Sequence, residues 1–197
     1  MARAKINLAS INKKVSNSKK FLRASDQNAQ KKFDLELKRM LEDFNQNPIT
    51  VELENPSLGN VSDTLGALNV NLFNFIGFYA GDNPVSDLRN LLLQTTTLSK
   101  QKSVKLIGRK PRIEYRVNTP NSTAIKSVTK MPWSSKSWAF AVETGGISGF
   151  NYFLNVKSRS SRSGKGIQAN FVVRNGGFKP KKYITSILQR FLSRFKG

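Results

Sequence analysis

Residues 71 to 84 read "NLFNFIGFYAGDNP" and contain no Lys or Arg, in a 197-residue chain with 33 basic and 12 acidic residues. Phe73, Phe75, Ile76, Phe78 and Tyr79 crowd into this stretch. So dense an apolar run has to be covered by something, and the rest of the fold must supply the cover. Laid out as a strand, Phe73, Phe75, Gly77 and Tyr79 share one face, and Leu72, Ile76, Phe78 and Ala80 share the other. Both faces are largely apolar, as in a strand covered on both sides. A surface that stacks nucleic-acid bases needs basic neighbours, which are missing here. The expectation is a core strand, or a strand packed against another subunit.

A chain of this length is enough for one domain and buries roughly 70% of its unfolded surface. Its 38% hydrophobic content and 13 Phe fit a folded protein. With no Cys there is no disulfide or thiolate, and with no His the usual triads, general bases and zinc sites are excluded. A reducing cytosol suits such a chain. The first 20 residues show no secretory signal, and no run approaches the ~18 apolar residues of a membrane span, so no membrane partner is expected.

Charge divides the chain in two. Residues 1–98 carry a net +2 and residues 99–197 a net +19, with Glu114 and Glu143 the only acids of the second part. Such a field attracts polyanions or an acidic partner surface and leaves the fold undetermined.

Periodicity predicts the elements. Residues 1–24 read as a flexible basic arm, with Lys13, Lys14, Lys19 and Lys20 as its candidate contacts. From Ser25, a capping residue, Ala29, Phe33, Leu37, Met40, Leu41 and Phe44 define one face of a long helix. Ile49, Val51 and Leu53 alternate as a strand. Asn83 as cap, Pro84 at the first position and Asp87 in the first turn announce another helix, with Leu88, Leu91 and Leu92 inward. Ile113, Tyr115 and Val117 alternate as a strand, and "TPNSTAIKSVTKMP" holds a short helix. Strands are expected over Trp138–Val142, Phe150–Lys157 and Ile167–Arg174, the last two joined in a long basic β-hairpin. Ile184, Ile187, Leu188, Phe191, Leu192 and Phe195 give an amphipathic C-terminal helix. The sum is one α+β domain over 25–197, an antiparallel or mixed sheet packed against the long N-terminal and the C-terminal helix.

The hairpin tip offers Lys157, Arg159, Arg162 and Lys165 as contacts for a polyanion or an acidic partner. "SGKG" is not a phosphate loop, because Arg159 stands where its first Gly belongs and Gly166 where Ser or Thr follows the lysine. "ELK" at 36–38 reads as a surface charge pair on the first helix. Asp82, Asp87, Glu114 and Glu143 are scattered. No catalytic, cofactor-binding or metal-ligating residue is nominated. The C-terminal helix, with Lys181, Lys182, Arg190, Arg194 and Lys196 beside its apolar face, is expected to pack on the core rather than lie on a membrane.

Three stretches in this order, "LKRMLEDFNQNPITVELE", "VSDTLGALNVNLFNFIGFYAGDNPVSDLRNLL" and "GGFKPKKYITSILQRFLSRFKG", resemble the neck and tail-completion proteins of tailed bacteriophages, the head–tail connector ring. The resemblance covers chiefly residues 25–93 and 176–197. It implies an α+β subunit without a catalytic site, assembled with its own copies into a ring. Implied neighbours are a connector or portal-side adaptor, a tail terminator and a tail tube or sheath, in a virion assembled in the host cytoplasm. Phe73, Phe75, Phe78, Tyr79, Ile187, Phe191 and Phe195 would then be packing or assembly residues. The resemblance does not account for the +19 half, which leaves non-specific contact with packaged DNA open. The alternative is a basic nucleic-acid-binding protein of the ribosomal or nucleoid kind.

Overall fold

The computed structural model of the chain describes residues 18–66, 71–107, 110–145 and 178–195. Helix α1, Lys19–Asn45, shows the expected stripe, with Phe33, Met40 and Phe44 buried and Leu37 packed beside them. It starts earlier than expected. Ser18, not Ser25, accepts a hydrogen bond from the Phe21 amide, at 3.3 Å. Residues 19–24, assigned by the sequence to the arm, are therefore helical, since nothing in them breaks a helix once Ser18 has capped it.

The expected strand over Ile49–Leu53 is instead helix α2, Pro48–Glu54. Asn47 caps it through the Ile49 amide at 3.0 Å, and Pro48 occupies the first turn. The alternation misled because Thr50 and Glu52, taken as the solvent face, are both fully buried.

The opening stretch is likewise not a strand. Leu72–Ile76 forms the short helix α3, begun by Asn71, which accepts from the Phe73 amide at 2.8 Å. Gly77 at φ +85° ends it. The Phe78 amide donates to the Phe73 carbonyl and the Gly77 amide to that of Asn74, while the Phe73 and Phe78 rings lie 5.3 Å apart. This Schellman end carries its usual hydrophobic contact. Leu72, Phe73, Phe75 and Ile76 are buried as expected, but on a helical turn rather than on two faces of a sheet, and Tyr79 and Ala80 are exposed.

Helix α4, Pro84–Thr95, is as expected, with Asn83 capping Ser86 and Leu88 and Leu92 buried. Strands β1, Thr97–Ile107, and β2, Lys110–Asn118, pair antiparallel with an irregularity between Lys100 and Val104. The short helix α5, Ser122–Val128, follows, capped by Asn121. A small hairpin, β3 Lys130–Met131 and β4 Ser134–Ser137, leads into helix α6, Trp138–Thr144. A strand was expected there. Ser137 caps the Phe140 amide, two alanines favour the helix, and the buried Trp138, Ala141 and Val142 follow helical spacing.

Residues 178–183, neither helix nor strand, tie to the 60–66 loop and to α6, with Lys179 N donating to Thr64 O and Lys181 N to Val142 O. Helix α7, Ile184–Ser193, then lies on α1. Phe191 meets Phe33 edge-on at 6.3 Å, Tyr183 stacks on Phe44 at 6.0 Å, and Trp138 lies 6.1 Å from Tyr183. The chain is mixed α+β with a long N-terminal helix, two small antiparallel sheets and a C-terminal helix. The expected strands over Phe150–Lys157 and Ile167–Arg174 lie outside the described residues.

Candidate functional site

The buried polar groups hold the fold together. Glu52, fully buried on α2, accepts the Ser62 amide at 2.7 Å with one carboxylate oxygen and the Leu72 amide at 2.5 Å with the other. An anion is thus set at the start of α3, where free amides and the helix dipole favour it. Asn71 completes the staple, its amide group donating to the carbonyls of Glu52, Asn55 and Leu58. These two side chains fix both ends of the turn-rich loop between α2 and α3.

Glu143, one of the two acids of the basic half, does the same for α7. It accepts from Tyr183 N at 3.0 Å, Thr185 N at 2.7 Å and Thr185 Oγ1 at 2.5 Å. Tyr183, completely buried, shares a 2.6 Å hydrogen bond with Thr50. Desolvation pushes its phenol well above the usual tyrosine range.

The "ELK" segment departs from the expected surface pair. Glu36 turns inward, 6% exposed, accepting from Arg39 at 2.8 Å and lying 3.5 Å from Arg194 Nε. Arg194 also donates to Asp43 at 2.9 Å, so the end of α7 is clasped to α1. Arg89, across the molecule, is shared by Glu54 and Asn45 and lies over the Phe44 ring.

Two exposed aspartates tie down basic segments. Lys100 donates to Asp26 at 3.0 Å and Tyr115 donates to it at 2.6 Å, joining the β1–β2 ribbon to α1. The hydrogen bonds from Lys100 and then Tyr115 hold the Asp26 carboxyl below its ordinary value. Burial and the bond to Asp26 push Tyr115 up to about 12. Asp63, at φ +54°, pairs with Lys179 at 2.9 Å and Lys181 at 3.4 Å, and the Lys179 bond leads in lowering its carboxyl.

Of the expected packing residues, Phe73, Phe75, Ile187 and Phe191 are buried in one core, and Phe78 and Phe195 pack against it. Tyr79 is 73% exposed. Nearby, Trp133 on the small hairpin donates from Nε1 to Ile76 O at 2.7 Å. Lys19 and Lys20 sit exposed in the first turn of α1. Lys13, Lys14, Lys157, Arg159, Arg162 and Lys165 lie outside the described residues. The ends of the segment bearing the last four are adjacent, since a Cβ on Gly145 would stand 2.9 Å from Pro180 Cγ.

Asp82 accepts from the Tyr79 amide, Asp87 lies in the first turn of α4 and Glu143 caps α7. Among the described residues, no three acids converge as a metal site and no helix is long and apolar enough to cross a membrane. The roles of Glu52, Glu36 and Asp26 escaped the sequence reading. Only "NPIT", with its Asn cap and helix-opening Pro, carried a signal that would have turned Glu52 inward. Comparison with protein-family models, curated proteins and solved structures finds no match for this chain.

Proposed function

We propose that the chain is a non-enzymatic structural protein of a tailed-phage virion, a subunit of the neck or tail-completion ring between head connector and tail. The observation that carries the reading is that the stretches resembling that family are neighbours in space. The end of α1, the α2–α3 loop with α4, and the 178–195 segment share one aromatic core through Phe44, Phe73 and Tyr183. Carboxylates that an enzyme would aim into a cleft are engaged here in internal ties: Glu52 to two amides, Glu143 to α7 and Glu36 to Arg194. Such a body suits a part that meets its own copies head to tail in a closed ring. A positive half meeting a negative neighbour would speed and orient docking.

The test is the quantitative protein composition of purified tailed particles from the source culture, after nuclease digestion and a high-salt wash. A small fixed copy number per particle, like that of other ring components, supports the proposal. Absence from particles, or loss in proportion to the nucleic acid removed, overturns it in favour of a free nucleic-acid-binding protein.

A further inference from the structure

No Lys or Arg stands between Arg39 and Arg89, although seven acids do, in a chain whose formal net charge is +21. Five of those acids are tied internally: Glu42 to Lys38, Asp43 to Arg194, Glu52 to two amides, Glu54 to Arg89, and Asp63 to Lys179 and Lys181. Asp82 and Asp87 are exposed, and neither pairs with a cation among the described residues. Exposed apolar surface gathers at the same corner. Tyr79 is fixed in a tight turn, its amide donating to Asp82 at 2.8 Å and its carbonyl accepting the Asp82 amide at 3.0 Å, while its ring stays in solvent. Trp133, 48% exposed, is oriented by its bond to Ile76 O and lies against Gly77, no more than about 7 Å of chain from Tyr79. Leu58, also exposed, is held at the other end of α3, where its carbonyl accepts from Asn71. Rigid aromatics left in solvent beside polar groups are the composition of an interface anchor and its rim.

Helix α1 carries a face of the opposite kind. Leu35 is 50% exposed, and Lys31, Lys32, Lys38 and Arg39 stand at i−4, i−3, i+3 and i+4, on every side of it. Arg39 is steadied by Glu36 and Lys32 by the Phe195 ring, while Lys38 lies 4.0 Å from Glu42. An exposed leucine alone is ordinary. One encircled by four exposed cations is an apolar centre with a positive rim.

We infer that the corner formed by Tyr79, Trp133, Asp82 and Asp87 of one copy docks on the Leu35 face of α1 in a second copy. Charge selects this occupant. A net charge of +21 opposes contact between copies, and like faces repel, cation rim against cation rim and acid against acid. Unlike faces attract. Lys31 and Lys32 would reach Asp82 and Asp87 or lie over the exposed rings, and Leu35 would cover the aromatic surface between them. A contact between two different patches runs head to tail and closes where the rotation permits. The inference rests on the reading of the chain as a self-assembling subunit and names the two surfaces that would meet.

The experiment is sedimentation velocity on the nuclease-treated full chain, from about 1 to about 100 μM at about 150 mM salt. The wild type is expected to associate beyond a dimer. Tyr79→Ser/Asp82→Asn removes the corner yet keeps an oxygen for the Tyr79 amide, and Lys31→Gln/Leu35→Gln removes the helix face. Each is expected to raise the dissociation constant about tenfold or more. Mixed together, the two variants retain one sound face each and are expected to form a dimer of one copy of each and nothing larger, a result that misfolding cannot imitate. If the corner variant fails to fold by circular dichroism, Tyr79→Ser alone reads the same contact. A wild type that stays monomeric throughout, association that neither variant weakens, no dimer in the mixture, or assembly only after nucleic acid is added each overturns the inference. None of these outcomes alters the particle-composition test, which by itself decides whether the chain is a virion part.

Discussion

Glu52 is the residue on which the α2–α3 region turns. Its carboxylate takes two main-chain amides in a site without solvent, and hydrogen bonds to a charged acceptor are the stronger kind. Glu52→Gln keeps the shape but turns a donor toward one of those amides. We expect a loss of about 2 kcal/mol, and about 3 kcal/mol for Glu52→Ala, in urea unfolding with an unchanged m-value. Tyr183 makes a second residue-scale prediction. Its folded-state pKa is raised, so the stability it contributes is fully present below pH ~10, the unfolded value, and is lost as pH rises above it. Tyr183→Phe should flatten the alkaline limb of the melting-temperature profile and cost about 1–2 kcal/mol at neutral pH, because Thr50 loses its partner. Adding Thr50→Val should recover most of that loss; strict additivity of the two losses would refute the pairing.

At the scale of elements, the helices are delimited by small side-chain signals. Asn47, Asn71, Asn83, Asn121 and Ser137 each cap a helix start, and Gly77 and Gly145 close α3 and α6 with left-handed backbone. The two glycines differ in what surrounds them. A Cβ at Gly77 meets nothing nearer than Trp133 at 3.7 Å, whereas one at Gly145 meets Pro180 Cγ at 2.9 Å. Gly77→Ala should therefore cost only the left-handed strain, about 1–2 kcal/mol. Gly145→Ala should cost more, because Pro180 and the 178–183 segment have to shift. Pro180→Ala in the Gly145→Ala background should return only the overlap part; equal losses for the two glycines would show that the 178–183 segment yields freely.

For the whole molecule, a formal net charge of +21 is a standing repulsion, relieved by salt at surface distances. The exposed ties of Asp26 and Asp63 act against it by binding basic segments to the body. Both carboxyls are held below their ordinary value, so what they contribute is present above pH ~4 and is lost as pH falls through the lowered folded-state pKa. Acidification from pH 5 to pH 2 in low salt should thus lower the melting temperature and expose ribbon amides to hydrogen exchange before those of α7. Asp26→Asn should give faster ribbon exchange already at pH 7 and a flatter acid limb. Identical exchange in the variant would show that Leu98 and Val117 alone hold the ribbon.

Much was legible in the sequence because it follows from neighbours along the chain. The apolar stripe of α1, the Asn-Pro start of α4, the alternation in β2, the short α5 and the amphipathic α7 all come from local periodicity and capping. The excess positive charge of the second half is legible too, as a count of residue types. The strand readings at 49–53, 72–80 and 138–142 failed for one reason: in runs of five to nine residues, helical and extended spacing are nearly indistinguishable. Partners decided them. Glu52 is buried only because the Ser62 and Leu72 amides come to it from 10 and 20 residues away. Glu143 caps a helix 42 residues on, and Asp26 finds Tyr115 at a separation of 89. A carboxylate alone does not announce such duties, because desolvation makes burial unfavourable until the distant donors are in place. The sequence by itself determined the mixed class, the core-forming helical faces and where the charge lies. Only the tertiary structure decided which acids leave solvent, and that Leu98 and Val117 of the ribbon turn to the core.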